Sequence, residues 1–459
     1  MYRYSIIGLG KLGASIAGAI ASRGPYVVGV DSNNEIVDLI NSGKSPVQEP
    51  GLDELIVANR HRLHATNSIR NAVLDTDITL VVVPTPSDEL GGFSLDHVES
   101  VFAEIGAALE KKDTYHLVAL KSTVLPGSTR QSLLPVLEQT SRKVCGSEFG
   151  LCYCPTLVAL GSAIRDFLSP DFILIGEFDE RSGVMLATAF AEMLPQQTEC
   201  RRMSLENAEL TKIAINTYVT TKITFANMLA DLCERIPGGD VDVVTSAMGL
   251  DTRIGQKYLT GALGYGGPCF PRDNQAFDYM ARSLGTRADL ATTTDRMNRC
   301  LAETVIERLG ITIEPGATVA ILGLAYKPFS DITEGSQGIL LAKTCAERGA
   351  RVIAHDPLAA MSATKELAGK ATVLESVSDC LRQASIVIIT TADPIYAALD
   401  VTDFAVAKQP VTVADCWRIL SEKLSNQANV VYLPIGRSIN QAADSARLPG
   451  LRNHAGISE

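Results

Sequence analysis

The chain opens with short apolar runs set between stretches of helical character. "YSIIGLG", "YVVGVD", "ITLVVVPTP", "HLVALKSTV" and "EFGLCYCP" are rich in β-branched residues, are bounded by Gly, Pro, Asp or Ser, and read as strands. Continuous runs such as "TLVVV" suit strands covered on both faces, the habit of a parallel sheet. Strand and helix alternate through about the first 150 residues, which predicts a doubly wound sheet. From Ser204 the texture changes. "SLENAELTKIAINTYVTTKITFANMLADLCERI" contains neither Gly nor Pro and predicts one long helix, with Ser204 as its N-cap and Asn207 and Glu209 in the opening turns. "GGDVDVVTSAMG" restarts helical structure, and the region to about residue 300 stays helical around a glycine-rich stretch, "GYGGPCFPRD", at residues 264–273. Strands return in "ATVAILGL", "ARVIAHDP", "ASIVIITT", "VTVADCW" and "NVVYLP", and the polar tail "ADSARLPGLRNHAGISE" is expected to fray. The expected fold class is α/β: two Rossmann-like doubly wound domains over residues 1–200 and 301–459, joined by a long central helix and a helical connector domain over 201–300. The glycine-rich stretch is expected to face the junction of the two sheets, where ligands commonly bind.

Composition narrows the function class. The chain has 459 residues, too many for one core, with 46% hydrophobic and 20% charged residues and a formal net charge of -11. No dense Lys/Arg run occurs, so no nucleic-acid partner is expected, and no uninterrupted apolar stretch reaches the roughly 20 residues of a membrane helix, so no membrane partner is expected. The N-terminal apolar run is interrupted by Lys11 and is not read as a signal peptide. A cytoplasmic protein is expected. Its ten cysteines are scattered, with Cys152 and Cys154 in a C-x-C that fits neither a metal nor a redox pair. No metal site is expected, and most of these thiols read as small buried hydrophobes.

Two places carry chemistry. Gly8-x-Gly10-x-x-Gly13 follows a strand and opens a helix, and the next strand ends at Asp31. The same glycines could form a plain tight turn, but strand, helix and acid together point to NAD. Gly8 makes the turn, Gly10 admits a pyrophosphate, Gly13 allows close helix packing, and Asp31 accepts from a ribose 2′-hydroxyl and repels a 2′-phosphate. At the second place, Cys269 lies among Gly266, Gly267, Pro268 and Pro271, with Asp273 four residues on. The glycines read as open space through which the thiol could meet a substrate. A cysteine buried in a tight turn is the alternative. Lys212 and Asn216, one turn apart on the long helix, are polar amid Leu210, Ile213, Ala214 and Ile215. With NAD nearby these groups suit an alcohol oxidised twice. A thiolate adds to the aldehyde, the thiohemiacetal loses a second hydride, and water releases the acid from the thioester, with Lys212 and Asn216 stabilising oxyanions.

These residues resemble the UDP-glucose/GDP-mannose dehydrogenase family over nearly the whole chain. The resemblance runs from "GLGKLG" through "PVQEPGLDELI", "VVVPTPSDELGGFSLDHV", "KSTVLPGST", "ENAELTKIAINTYV", "GLDTRIGQKYLTGALGYGGPCFPRD" and "LGLAYKPFSDITEGSQGILLAKTCAERGARVIAHDP" to "ADCWRIL". It implies oxidation of a UDP-glucose-like nucleotide sugar at C6, with NAD bound in the first domain and the nucleotide sugar in the last. Cys269 is implied as nucleophile, Lys212 and Asn216 as oxyanion and substrate contacts, Asp273 as a charge setting protonation, and Thr123 as the residue positioning water. Gly8, Leu9, Gly10, Lys11, Leu12, Gly13, Asp31, Thr85 and Thr123 are the implied cofactor residues. Arg253, reaching across a homodimer interface, and Gly266, Tyr258, Tyr326, Lys327 and Arg418 are the implied substrate contacts, with Lys327 and Arg418 suited to phosphate.

The chain departs from the family pattern at two points. Thr156 and Leu160 stand where the family has two glutamates, the first of which serves thioester hydrolysis, and a hydroxyl cannot act as a general base near neutral pH. Asp166 and Glu148 are the nearest acids in sequence. Glu334 stands near the end of "SDITEGS", where many members carry an arginine that pairs with pyrophosphate. Pro268 in place of the family's serine is a smaller change that stiffens the thiol loop. Three readings compete: full oxidation to the acid, an enzyme that stops at the aldehyde or stalls at the thioester, and a catalytically silent nucleotide-sugar binder.

Overall fold

A computed structural model describes residues 1–158, 161–406 and 410–438. Leu160 and the polar tail lie outside them. Two compact units divide the chain. One comprises Met1–Ile215 and Gln275–Arg287, the other Asn216–Asn274 and the residues from Ala288 onward. The boundary between them falls inside the long helix.

The first unit holds an eight-stranded sheet: β1 (Tyr4–Ile7), β2 (Val27–Val30), β3 (Leu63–Thr66), β4 (Ile78–Val81), β5 (His116–Leu120), β6 (Phe149–Tyr153), β7 (Phe172–Glu177) and β8 (Glu199–Ser204), in the order β3-β2-β1-β4-β5-β6-β7-β8. Neighbours run parallel except β6 and β7. Strands β1, β2, β4 and β5 are buried along their whole length, as their unbroken apolar runs require. The second unit holds β9 (Thr318–Leu322), β10 (Arg351–His355), β11 (Ala371–Val373), β12 (Ile386–Ile389), β13 (Val411–Asp415) and β14 (Val430–Pro434), all parallel, in the order β11-β10-β9-β12-β13-β14. Both sheets repeat the dinucleotide-fold order 3-2-1-4-5-6 over their first six strands.

The repeat extends to the turns. Gly8 has φ +92° and its N–H donates to the Val30 carbonyl, while Gly323 has φ +110° and donates to His355. A Cβ on Gly13 would stand 1.7 Å from the Gly8 oxygen, and one on Gly338 2.1 Å from the Gly323 oxygen. Strand-to-helix packing this close admits only glycine in both domains.

The long helix spans Leu205–Arg235, 31 residues, and Ser204 caps it by accepting the Asn207 N–H at 3.3 Å. In its first turns, fully buried Glu209 accepts the N–H groups of Gly127 and Thr129 at 2.6 and 2.9 Å. The loop after β5, which carries Thr123, is thus pinned to this helix. Burial raises the Glu209 pKa above the ordinary glutamate value, against the lowering effect of those hydrogen bonds. A native state that holds its proton more tightly than the unfolded chain is favoured at low pH, so this contribution fades as pH rises through the raised value. Relative to Glu209→Gln, which does not titrate, wild-type stability in urea should decline from about pH 4 upward. A pH-independent difference would show that the desolvation cost is negligible. Glu209→Ala, which strands both N–H groups, should cost about 1–3 kcal/mol.

Candidate active site

The first unit presents an anion cradle. The helix Lys11–Ser22 starts at Gly10 with no side-chain cap and no acid in its first turn, so its leading N–H groups lack a capping side chain. A Cβ on Gly10 would meet nothing within 4 Å, which leaves room there for a phosphate. Asp31 closes the turn, accepting from Leu9 N–H at 2.8 Å and from Asn33 N–H at 2.9 Å. The Leu9 side chain itself is fully buried against Gly29, so only its backbone is offered to a ligand. Thr85 and Thr123 are tied together, with the Thr85 hydroxyl donating to the Thr123 carbonyl at 2.7 Å, and Ser122 donates to Val83 at 2.6 Å. These residues fit NAD: an uncapped helix start for the pyrophosphate, an acid for the ribose, and two cross-tied loops beyond.

Thr156 lines a cavity of about 40 Å³ with Lys121, Cys154 and Asp166, room for one water. Lys121 is buried and donates to the Cys154 carbonyl at 2.8 Å. Asp166 accepts from Ser162 at 2.7 Å and pairs with Arg165 at 3.0 Å, while Glu148 accepts the Val144 N–H at 2.8 Å. Both acids near Thr156 in sequence are thus committed to local contacts. Lys212 lies buried on the long helix.

The second unit holds the thiol. Cys269 is exposed immediately before the helix Phe270–Ser283, and its carbonyl accepts the Asp273 N–H at 2.9 Å, closing the first turn. The positive end of the helix dipole favours negative charge there. Other cysteines differ. Cys145, Cys345 and Cys380 are buried, and burial raises their pKa values to about 12. Asp273 is fully buried, accepts the Asn216 amide N–H at 2.6 Å and pairs with Arg272 at 3.4 Å. Its carboxylate therefore fixes the Asn216 amide.

The glycines around Cys269 do not leave open space, contrary to the sequence reading. A Cβ on Gly264 would stand 2.1 Å from Asn298 Oδ1, one on Gly266 2.4 Å from the Gly335 oxygen, and one on Gly267, at φ +80°, 2.6 Å from the Tyr326 ring. The Gly267 N–H also donates to the Glu334 carbonyl at 2.7 Å. Glycine is required because the loop from Tyr326 to Gly335 crosses the thiol loop backbone to backbone. Glu334, expected as a disturbance of cofactor binding, serves the thiol loop through its main chain.

Of the expected substrate contacts, Tyr326 covers Gly267, and Lys327 Nζ lies 5.7 Å from the Tyr326 ring centre. Tyr258 is exposed at φ +67°, a strained backbone for a non-glycine residue, with its ring edge-on to Phe270. Arg253 is exposed and pairs with Asp251 at 2.6 Å. Arg418 is held by other groups of the protein. Its Nε and Nη2 donate to Asp242 at 2.8 Å each, and its Nη1 donates to the carbonyls of Gly261 at 2.7 Å and Ile435 at 2.8 Å. The buried guanidinium is thus engaged by Asp242 and two backbone carbonyls. Burial opposes ionisation of Asp242, yet Arg418 and Arg437 hold its carboxyl below the ordinary range.

Sequence reasoning passed over Asn227 and Asn298. Asn227 lies in the apolar run "FANMLADL", and Asn298 lies on the buried stripe Ala291, Asn298, Leu301, Ala302 and Val305. A polar side chain on a core-facing stripe was the available signal.

The models of three domains of one family match in order: the NAD binding domain over residues 2–194, the central domain over 206–300 and the UDP binding domain over 320–422. The chain belongs to the UDP-glucose/GDP-mannose dehydrogenase family. It is 36% identical over 400 residues to a UDP-glucose 6-dehydrogenase of Haloferax volcanii, covering 86% of this chain and 92% of that protein. A GDP-mannose 6-dehydrogenase of Pseudomonas syringae is 36% identical over 352 residues, 76% of this chain and 79% of that one. Among solved structures, a UDP-glucose dehydrogenase from Pyrobaculum islandicum matches with TM-score 0.84 and 34% identity over 95% of this chain and 98% of that one. The protein is thus an NAD-dependent nucleotide-sugar dehydrogenase with two Rossmann-like domains.

Two glycine substitutions separate binding from folding. Gly10→Ala has room for its methyl, so stability should change by less than about 1 kcal/mol while NADH affinity falls at least about tenfold, read by fluorescence titration. Gly13→Ala should damage the fold itself. Unchanged NADH binding in Gly10→Ala would remove the pyrophosphate from this turn.

Proposed function

We propose that the protein oxidises a UDP-glucose-like nucleotide sugar at C6 to the uronic acid, a four-electron change that consumes two NAD. The observation that carries this reading is Cys269, an exposed thiol at a helix start on a backbone held by close contacts on several sides. Bound NAD, held by Gly8 to Gly13, Asp31, Thr85 and Thr123, supplies the hydride acceptor. The first hydride and the hydroxyl proton leave the C6 alcohol to give an aldehyde. Cys269 Sγ adds to that carbon, and the oxygen of the thiohemiacetal is stabilised by Lys212 and Asn216. Loss of a second hydride gives a thioester, and water, positioned by Thr123, cleaves the C–S bond to release the acid and restore the thiol. Asp273 orients Asn216 for this work. Gly266, Tyr258, Tyr326 and Lys327 are assigned to the nucleotide sugar. A reaction that needs a free thiol suits a reducing compartment, so the cytoplasm is the proposed location.

A second reading is favoured at one step. Thr156 has no basic group, and the carboxylate that shares its cavity, Asp166, is paired with Arg165. Deacylation of the Cys269 thioester is then the slow step. With UDP-glucose or GDP-mannose as substrate, two NADH per sugar are expected, and one would mean an aldehyde product. Cys269→Ala should stop the second oxidation and leave nucleotide-sugar binding intact; an equal loss of binding would make the thiol structural. Mass spectrometry of enzyme quenched in turnover should find the adduct on Cys269, and Thr156→Glu should speed acid release. No yield of NADH from any UDP-, TDP- or GDP-sugar would leave only the silent binder.

The partner proposed is a second copy of the chain. On the long helix Tyr218, Phe225 and Leu232 are exposed at seven-residue spacing, with Met228 beside them, an apolar face that symmetric pairing would cover. Arg253 is assigned to reach the substrate of the second copy. Sedimentation equilibrium should give twice the chain mass, and Phe225→Glu should halve it; a monomeric wild type would end this assignment.

A further inference from the structure

The segment Gly261–Gly267 leads into the nucleophile but belongs to no helix or strand, so its backbone polar groups find no ladder. Side chains and a crossing loop meet them instead. Arg418 takes the Gly261 carbonyl. Asn227 accepts the Ala262 N–H at 2.8 Å and donates to the Leu263 carbonyl at 3.1 Å. Asn298 accepts the Tyr265 N–H at 2.8 Å and donates to the Tyr265 carbonyl at 2.9 Å. Each asparagine thus presents its amide as a strand neighbour would, one acceptor and one donor to the same short piece of chain. The Tyr265 hydroxyl accepts from Asn274 at 2.9 Å, and Asn274 accepts from Thr220 at 3.1 Å, which ties the upstream piece to the first turn of the thiol helix. Both asparagines are buried.

We propose that Asn298 and Asn227 are positioning residues for Cys269: their paired amide bonds hold residues 262–265 so that the thiol is kept at the start of the helix Phe270–Ser283. The proposal deepens the nucleophile reading and rests on it for its functional meaning. Neither side chain is assigned to substrate or cofactor. Their action is indirect, through the backbone that leads to Cys269, and glycine at 264 is required because the Asn298 amide occupies the place of its Cβ.

The test is alkylation of the full-length protein by iodoacetamide at neutral pH, with sites read by peptide mass mapping. Cys300, the other exposed thiol, serves as internal reference, and buried Cys345 and Cys416 report any loss of fold. In Asn298→Ala and in Asn227→Ala, alkylation of Cys269 should slow at least about fivefold relative to Cys300, because the thiol leaves the favourable helix start, while Cys345 and Cys416 stay unmodified. A purely structural role would instead open the buried thiols or change nothing at Cys269. Should an alanine variant expose them, Asn298→Asp, which keeps the acceptor for Tyr265 N–H and loses the donor, is read in its place with a smaller slowing expected. In turnover with UDP-glucose, kcat should fall with KM little changed. An unaltered Cys269 rate in folded variants overturns the proposal. Two NADH per sugar from Cys269→Ala would instead overturn the nucleophile reading and leave the alkylation result standing.

Discussion

A piece of irregular backbone must have its N–H and C=O groups satisfied from outside itself, and in this protein the proposed nucleophile, Cys269, follows such a piece. From Gly261 to Gly267 the partners are one arginine, two asparagine side chains and the main chain of the Tyr326–Gly335 loop. Each partner comes from a different element, so the position of the loop reports the correct packing of all of them. An unmet buried amide costs about 1–3 kcal/mol. Several such groups in one short segment leave little freedom for the chain to adopt another path. Glycine enters as a consequence, because partners that approach a backbone this closely leave no room for a Cβ.

The two Rossmann-like domains show how one device can serve twice. Asp31 follows β2 and accepts two backbone N–H groups, which leaves acceptor capacity for a ribose. Asp356, at the matching place after β10, accepts four: Leu324 and Ala325 on one oxygen, Leu358 and Ala359 on the other. The second acid is spent on fixing the start of the loop that crosses the thiol segment. In the first domain the turn is left open for a ligand, whereas in the second the same geometry has become a structural pin.

Much of the architecture could be read from the sequence, since the buried strands are unbroken apolar runs and the 31-residue helix lacks Gly and Pro. The strands that escaped notice explain themselves differently. β3 and β8 are short or largely exposed edge strands whose polar residues, such as those of "ECRRMS", carry no apolar period, and β11 has three residues. β7, "FILIGE", is as apolar as its neighbours, yet it is not among the runs read as strands from the sequence. At the site, residue types were legible but partners were not. "ADCWRIL" announces an arginine, and only the fold shows that Asp242, 176 residues away in sequence, has already taken its charge. The glycines near Cys269 were read as space for the same reason: what fills that space comes from Asn298, Tyr326 and Gly335.

The uneven state of the site is itself informative. A chain that only bound nucleotide sugars would gain nothing from holding an exposed thiol at a helix start, with buried amides along the backbone behind it and an Asn216–Asp273 pair fixed at 2.6 Å. Holding polar groups in a buried network is costly unless every member is satisfied, and here the members converge on the segment that ends at Cys269. In the proposed reaction, the step that would form the thioester therefore has its apparatus, whereas the step that would remove it has a threonine where a base is expected. In the proposed reaction, hydrolysis would then rely on water orientation and on the oxyanion stabilisation assigned to Lys212 and Asn216. Those terms survive loss of a base, whose own contribution is about 10²- to 10⁴-fold, so the expected consequence is a slower enzyme rather than a silent one.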